Sequence, residues 1–175
     1  MTGEKGFAVW ITGIPASGKS SIARELVARL NREGSSPAVL ESDAMRTVLT
    51  PEPTYSRDER DRFYLQLAKI GAMLARQGIP VIIDATANRR EYRDQARALV
   101  ARFVEVFVDC TVDICRDRDP KGIYAAASRG DASNVPGVQA AYENPLNPDV
   151  IVDCRETPSI SAERIFTYLM KNRYL

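Results

Sequence analysis

Apolar residues follow two alternating rhythms along this chain. Phe7 to Thr12 reads FAVWIT, a nearly unbroken apolar run closed by Gly13, which predicts a strand buried on both faces. From Lys19 to Leu30 the residues Ile22, Leu26, Val27 and Leu30 recur at helical spacing, and Asn31 with Gly34 marks the stop. The runs PAVLE (37–41), IPVIIDA (79–85), VEVFVDC (104–110) and DVIVDC (149–154) predict four more strands. Helical spacing returns over 57–77, with Phe63, Leu67, Ile70 and Leu74 on one face, and again over 90–101. A last helix opens at Ser159, with Glu163 near its first turn and Ile165 and Leu169 following. Strands separated by helices imply parallel pairing and right-handed crossovers, hence an α/β fold with a five-stranded parallel sheet in a three-layer α/β/α arrangement. Residues 120–148 break the rhythm, being rich in Gly, Ala, Ser, Asn and Pro, and predict a mobile lid over about 120–147. With no repeat or linker in view, residues 1–175 read as one domain.

Composition narrows the chemistry. Twenty-four basic residues against twenty-three acidic ones leave a net charge of +1, so no long-range field favours nucleic acid or an anionic membrane, and a bound anion must be held locally. The chain has no histidine, which excludes imidazole bases, Ser-His-Asp triads and zinc sites that need imidazole. Cys110, Cys115 and Cys154 are odd in number and form no C-x-x-C pair, so a disulfide or metal knuckle is not expected and a reducing cytosol fits. They read as small core or half-buried residues, as Trp10 reads as packing. The start MTGEKGF carries no apolar leader, and no run approaches the roughly 20 residues that span a bilayer, so a cytoplasmic protein is expected.

Gly13-Ile14-Pro15-Ala16-Ser17-Gly18-Lys19-Ser20 fits G-x-x-x-x-G-K-[ST] between a predicted strand and a predicted helix, where a phosphate-binding loop belongs. Backbone N–H groups from Gly13 to Ser21, with Ala16, Ser17 and Gly18 in the bend, then point at phosphate oxygens together with the helix N-terminus. Lys19 bridges the β- and γ-phosphates of ATP, and the Ser20 hydroxyl ligates Mg2+. No N-K-x-D motif is present to read guanine, and DPKG at 119–122 follows a helix-like stretch and not a strand. The small size favours a small-molecule kinase over a motor or assembly ATPase.

Glu41 and Asp43 stand two apart at the end of the second strand and share a face if the strand persists. In a parallel sheet the carboxyl ends of strands border the ligand crevice. Asp43 there accepts the acceptor hydroxyl's proton or holds the metal through water, and Glu41 supports the metal. A helix cap is the competing role, with Asp43 as N-cap. Arg46 suits an anionic acceptor. RDERDR (57–62) reads as a solvent-facing helix start, and Asp84 reads equally as a metal neighbour or a turn cap, with no catalysis assigned to it.

These residues sit in segments that resemble the adenylylsulfate (APS) kinases. The resemblance runs through VWITGIPASGKSSIA, through VLESDAMR where the family has L-D-G-D-x-x-R, through FVEVFVDCTVDICRDRDPKGIYAAASRG, and closes at YENPLNPD. It implies a P-loop NTPase fold of nucleotide-kinase type, transfer of the γ-phosphate of ATP to the 3′-hydroxyl of adenosine 5′-phosphosulfate in sulfate assimilation, and a homodimer. It further implies that the block from Arg118 to Tyr124 begins the lid, with Arg118 near the ATP base and Lys121 reaching the acceptor or phosphates.

Departures gather on the acceptor side. Against the family's F-S-x-x-D-R-x-E-N-x-R-R, the segment from Tyr55 to Gln66 keeps Arg60, puts Phe63 for the asparagine, and has Leu65 and Gln66 for the two arginines. The family's F-T-G becomes Val135-Pro136-Gly137, removing an aromatic that stacks on the acceptor base, a contact worth about 1–3 kcal/mol in nucleic-acid complexes. I-S-P after the third strand is replaced by DATANRR, also seen in other P-loop kinases of small molecules. Tyr55 still offers one face to a base. Two alternatives stay open: a kinase of the same fold for a different anionic or nucleotide-linked acceptor, and a non-catalytic nucleotide-binding regulator.

Overall fold

The computed structural model describes residues 6–175. Met1–Lys5, most of the stretch read above as lacking a leader, lie outside the described residues. In chain order the elements are β1 (Ala8–Thr12), α1 (Lys19–Arg32), β2 (Ala38–Glu41), α2 (Ser42–Leu49), α3 (Arg57–Arg76), β3 (Val81–Asp84), α4 (Arg90–Leu99), β4 (Phe103–Asp109), α5 (Val112–Arg118), α6 (Ile123–Arg129), β5 (Val150–Asp153) and α7 (Pro158–Lys171). The five strands form one sheet in the order β2-β3-β1-β4-β5, and every pairing is parallel.

Alternation along each strand sorts side chains to two faces. Val9 and Ile11 of β1, with Ile82, Val104 and Val106, pack with Ile22, Leu26 and Leu30 of α1 and Ile165, Phe166 and Leu169 of α7. Ala8 and Trp10, with Val81 and Ile83, face Phe63, Tyr64 and Leu67 of α3 and Tyr92 and Ala96 of α4. All five residues of β1 are buried, as expected of a central parallel strand covered on both sides. Trp10 donates its Nε1–H to the Ala85 carbonyl at 3.0 Å, satisfying its one polar atom inside the core.

Three local expectations change. The chain turns helical at Ser42, so Asp43 is in the first turn of α2 and does not extend β2. Residues 120–148 are not wholly irregular, because α6 occupies Ile123–Arg129 between Gly122 and Gly130, both with positive φ. Cys110 and Cys154 form a disulfide. They follow the paired ends of β4 and β5, where Asp109 lies opposite Asp153, and that register brings their Cα atoms to 5.3 Å, within bridging range. Spacing in sequence carried no sign of this, because the pair is separated by 44 positions and made adjacent only by the sheet. Cys115 is the free, buried thiol.

The central strand β1 has β3 on one side and β4 on the other. Its carboxyl end is therefore where successive crossovers diverge, the place in an open α/β sheet where a crevice forms.

Candidate active site

The loop after β1 is built to hold an anion. α1 starts at Gly18, whose φ of 102° suits glycine, and no side chain caps the helix. The first turn of α1 contains no acidic residue, so its free N–H groups and positive dipole end face the crevice uncompensated. Ser17 Oγ is buried without a partner, the mark of a polar atom waiting for a ligand. The Lys19 ammonium is buried and donates to the Ile14 carbonyl at 3.0 Å. Burial lowers its pKa below the ordinary 10.5, against the opposing pull of Asp84, Cys115 and Asp43. Gly13 lies beneath the loop, where a Cβ would come within 2.8 Å of Ser17 Oγ and 3.0 Å of the Val108 carbonyl.

A cleft of about 820 Å³ opens over this loop. Ala16, Ser17, Gly18, Lys19, Ser20 and Ser21 form its floor, and Glu41, Asp43 and Asp84 stand along one side. The two acids predicted to act together both line the cleft but take different partners. Glu41 is the N-cap of α2, its carboxylate accepting from the backbone N–H of Asp43 at 3.4 Å and of Ala44 at 3.1 Å. The capping role foreseen for Asp43 thus falls to Glu41, and Asp43 forms an ion pair with Lys121, which also lines the cleft. Asp84, left without a role by sequence, is buried at the tip of β3. Burial pushes its pKa up, while the Lys19 charge and a hydrogen bond with Ser20 pull it down.

Beside the acids the lining is cationic and aromatic. Arg46 on α2 donates to Glu59 on α3 at 2.6 Å, both side chains buried. Its guanidinium lies 4.0 Å from the ring centre of Phe63 and 4.9 Å from that of Tyr55. Glu59 also accepts from the Thr54 hydroxyl and from the N–H groups of Thr54 and Tyr55, fixing Tyr55 in a left-handed backbone conformation, φ 55°. Arg60 donates to the Asn134 carbonyl at 2.7 Å. That partner is neutral, so Arg60 keeps its charge for the cleft, whereas Arg46 is balanced by Glu59.

RDERDR is therefore not simply a solvent-facing start, because its middle pair, Glu59 and Arg60, is buried. The signal was present as Ser56-x-x-Glu59, a capping-box spacing, and Ser56 Oγ does accept from the Glu59 N–H at 3.3 Å. Of Phe63, Leu65, Gln66 and Val135, only Val135 lines the cleft, where Pro136, Asp84 and Thr86 from the other altered segments join it. Phe63 is fully buried beneath Arg46, and Leu65 and Gln66 lie outside the cleft lining on less buried positions of α3.

Residues 119–148 form an arch that lines the cleft through Pro136 and is tied at both ends. Arg118 donates to the Cys154 carbonyl at 2.8 Å, and Tyr124 donates its hydroxyl to the Pro15 carbonyl at 2.8 Å. At the far end Asn88 Nδ2 donates to Ala141 O at 2.9 Å and Glu143 N to Asn88 O at 2.7 Å. Lys121 reaches Asp43 from this arch, and that hydrogen bond raises its pKa above the ordinary 10.5. No cluster of three or more His, Cys, Asp or Glu suited to a metal occurs among the described residues. The exposed Ser20 hydroxyl and the nearby carboxylates nevertheless form the hard oxygen set that magnesium accepts when phosphates and water complete its shell.

A phosphate loop at the carboxyl end of a central parallel strand, facing acids and an arginine-lined wall under a shared arch, defines a P-loop kinase of small molecules. The chain belongs to the adenylylsulfate kinase family, whose model, described as adenylylsulphate kinase, matches residues 5–153. The adenylyl-sulfate kinase of Microcystis aeruginosa is 36% identical over 175 residues, covering 98% of this chain and 96% of its own. The probable adenylyl-sulfate kinase of Aeropyrum pernix is 36% identical over 170 residues, covering 95% and 91%. The structure of the Mycobacterium tuberculosis APS kinase CysC in complex with AMPPNP and APS superposes with a TM-score of 0.90 at 32% identity, covering 94% of this chain and 98% of that one. A gluconokinase from Sinorhizobium meliloti, 17% identical with a TM-score of 0.62, shares the fold. No helix among the described residues is long and apolar enough to cross a membrane.

Proposed function

We propose that this chain transfers the γ-phosphoryl group of ATP to the 3′-hydroxyl of adenosine 5′-phosphosulfate, giving PAPS and ADP. The observation that carries the reading is the pairing of Lys121 with Asp43 in the lining of the same cleft as the Lys19 loop. That arrangement brings a carboxylate, an exposed cation and a phosphate cradle into one cleft. Lys19 and the amides of residues 13–21 hold the β- and γ-phosphates and offset the charge that builds as the phosphoryl group departs. Arg118 lies over the base side. Asp43 orients the acceptor hydroxyl and takes its proton once Lys121 is drawn to phosphate. Arg60 and Lys121 attract the acceptor's anion, and Arg46 holds Tyr55 as a flat surface for its base. Ser20 would hold Mg2+, which supplies charge neutralisation at the transferring group. We read the whole chain as one domain in which residues 120–147 act as a lid that excludes water from the transferring phosphoryl group. Assembly into oligomers fits this reading, a relative from Thiobacillus denitrificans being described as hexameric, while the Cys110–Cys154 bridge removes the cysteine argument for a reducing cytosol.

Release of ADP, followed by a coupled assay with ATP and APS, tests the proposal: saturable turnover dependent on APS supports it, and ATP hydrolysis unaffected by APS removes it. Val135 lining the cleft favours a second reading, phosphorylation of another anionic acceptor. Saturable product from such an acceptor, with none from APS, would replace the first reading with the second.

A further inference from the structure

We propose that Glu156 reads the base of the bound nucleotide, its unpartnered carboxylate oxygen accepting a hydrogen bond from the exocyclic amino group of adenine. The inference rests on reading residues 13–21 as the ATP site.

Sheet order decides where a nucleoside can lie. β2 and β3 stand to one side of β1, and the chain between them contributes Arg46, Tyr55 and Arg60 to the cleft. β4 and β5 stand to the other side, and the chain after them contributes Arg118, Cys154, Glu156 and Pro158. The acceptor takes the first group, which leaves the second for the nucleoside of the ATP whose phosphates sit on the loop after β1. Most acceptors in that second region are already used. The Cys154 carbonyl accepts from Arg118 at 2.8 Å, and the Asp119 carboxylate accepts from the backbone N–H groups of Tyr124 at 3.2 Å and Ala125 at 2.9 Å.

Glu156, in the turn between β5 and α7, is half committed. One of its oxygens accepts from Arg164 Nη2 at 2.7 Å, and Arg164 Nη1 donates to the Ile151 carbonyl at 3.2 Å, so the carboxylate is braced against the backbone of β5. The other oxygen, Oε2, is shielded from solvent and has no partner. A charged oxygen left in that state is unfavourable until a donor reaches it. An ionised carboxylate can only accept. Adenine presents one donor on the edge that carries N7, its amino group, whereas guanine has an oxygen at the same place. Glu156 therefore attracts the adenine edge and repels the guanine O6. Arg164, which acts through Glu156, is a positioning residue.

Isothermal titration tests this with ATP and with purine riboside 5′-triphosphate, which has hydrogen in place of the amino group. No acceptor is present, so the identity of the acceptor does not enter. The wild-type chain should bind ATP about tenfold or more tightly than the analogue, the scale of a hydrogen bond to a charged group. Glu156→Ala should bring the two affinities within about twofold of each other, chiefly by weakening ATP. Glu156→Gln, whose amide oxygen still accepts, should keep part of the preference, and Arg164→Ala should reduce it without abolishing it. A merely structural role would weaken both ligands alike and leave their ratio unmoved. Equal affinities in the wild-type chain, a ratio unchanged in folded Glu156→Ala, or tighter binding of GTP than of ATP overturns the proposal, and the first and last of these need no variant. Failure of the wild-type chain to bind either triphosphate would instead remove the nucleotide reading on which the proposal stands.

Discussion

The guanidinium of Arg46 lies between the rings of Phe63 and Tyr55 and donates to Glu59 at 2.6 Å. This places a buried ion pair underneath the acceptor wall, where each partner depends on the other to offset its desolvation. Glu59→Gln removes the anion and leaves the Arg46 charge unmatched, so we expect a loss of about 3–5 kcal/mol in urea unfolding. Replacing both residues by apolar ones should cost less than either single change. The Km for acceptor should rise in Glu59→Gln more than the Km for ATP, because the Tyr55 turn loosens while the phosphate loop is untouched.

Acid should act on the same pair. Burial alone would raise the Glu59 pKa, but hydrogen bonds from Thr54, Tyr55 and Arg46 hold it below the ordinary 4.5. A depressed folded pKa contributes stability that is present above about pH 4.5 and disappears as pH falls through the folded value. Glu59→Gln should therefore flatten the stability–pH curve below about pH 4.5 relative to wild type. A curve of unchanged slope there would count against the assignment.

Lys121 and Asp43 form the opposite kind of pair, with side chains 58% and 62% exposed. Exposed ion pairs contribute about 0–1 kcal/mol, so neither Lys121→Ala nor Asp43→Asn should move the melting temperature appreciably. Their effects belong to turnover. Asp43→Asn should lower kcat by about 10²–10⁴-fold, the usual range for a lost general base, with ATP affinity nearly intact. Isothermal titration beside steady-state kinetics separates the two quantities. A variant with full kcat would leave the acceptor hydroxyl without its assigned base.

The Cys110–Cys154 bridge closes a long stretch that includes α5, α6 and the arch over the cleft. Crosslinks over such lengths typically stabilise by about 2–4 kcal/mol. Thiol titration of the denatured, unreduced chain should find one reactive group, Cys115, and three after reduction. Melting with and without reductant should differ in the same direction. Three thiols without reductant would mean the sulfurs are not joined.

The sequence made the strands and the phosphate loop readable because each depends on short-range information. An apolar run closed by glycine, followed by a lysine at a helix start, specifies its geometry locally. The features missed arise where distant segments meet. Whether Glu41 or Asp43 caps α2 turns on where β2 ends, a choice made by pairing with β3. The inward turn of Glu59 requires Arg46, thirteen positions earlier, as its partner. Periodicity over 57–62 is swamped by charge, so the buried stripe begins earlier than apolar residues alone disclose. The departures at Leu65 and Gln66 looked like changes to the acceptor site because they stand where the family has two arginines, whereas neither lines the cleft.

Arg93 shows how the segment after β3 reaches the arch. It is 1% exposed and donates to Glu105 at 2.7 Å, to the Ala87 carbonyl, and to the Glu143 carbonyl at 2.6 Å. Arg90 adds a backbone N–H to Glu143 Oε2 at 2.9 Å. One guanidinium thus joins β4, the turn beyond β3 and the returning end of the arch. Arg93→Ala leaves Glu105 buried with only the more distant Arg97, 3.5 Å away, as a cationic neighbour, and unpairs two carbonyls. We expect a loss of about 3–5 kcal/mol in unfolding free energy. Because the Glu143 contact fixes where the arch descends, amide exchange over 138–144 should accelerate more than exchange in α1. Arg93→Lys should recover little of either effect, since an ammonium cannot reproduce the planar fork that meets three acceptors in different directions. Recovery of wild-type exchange by lysine would show that charge alone, and not the shape of the donor, anchors the arch.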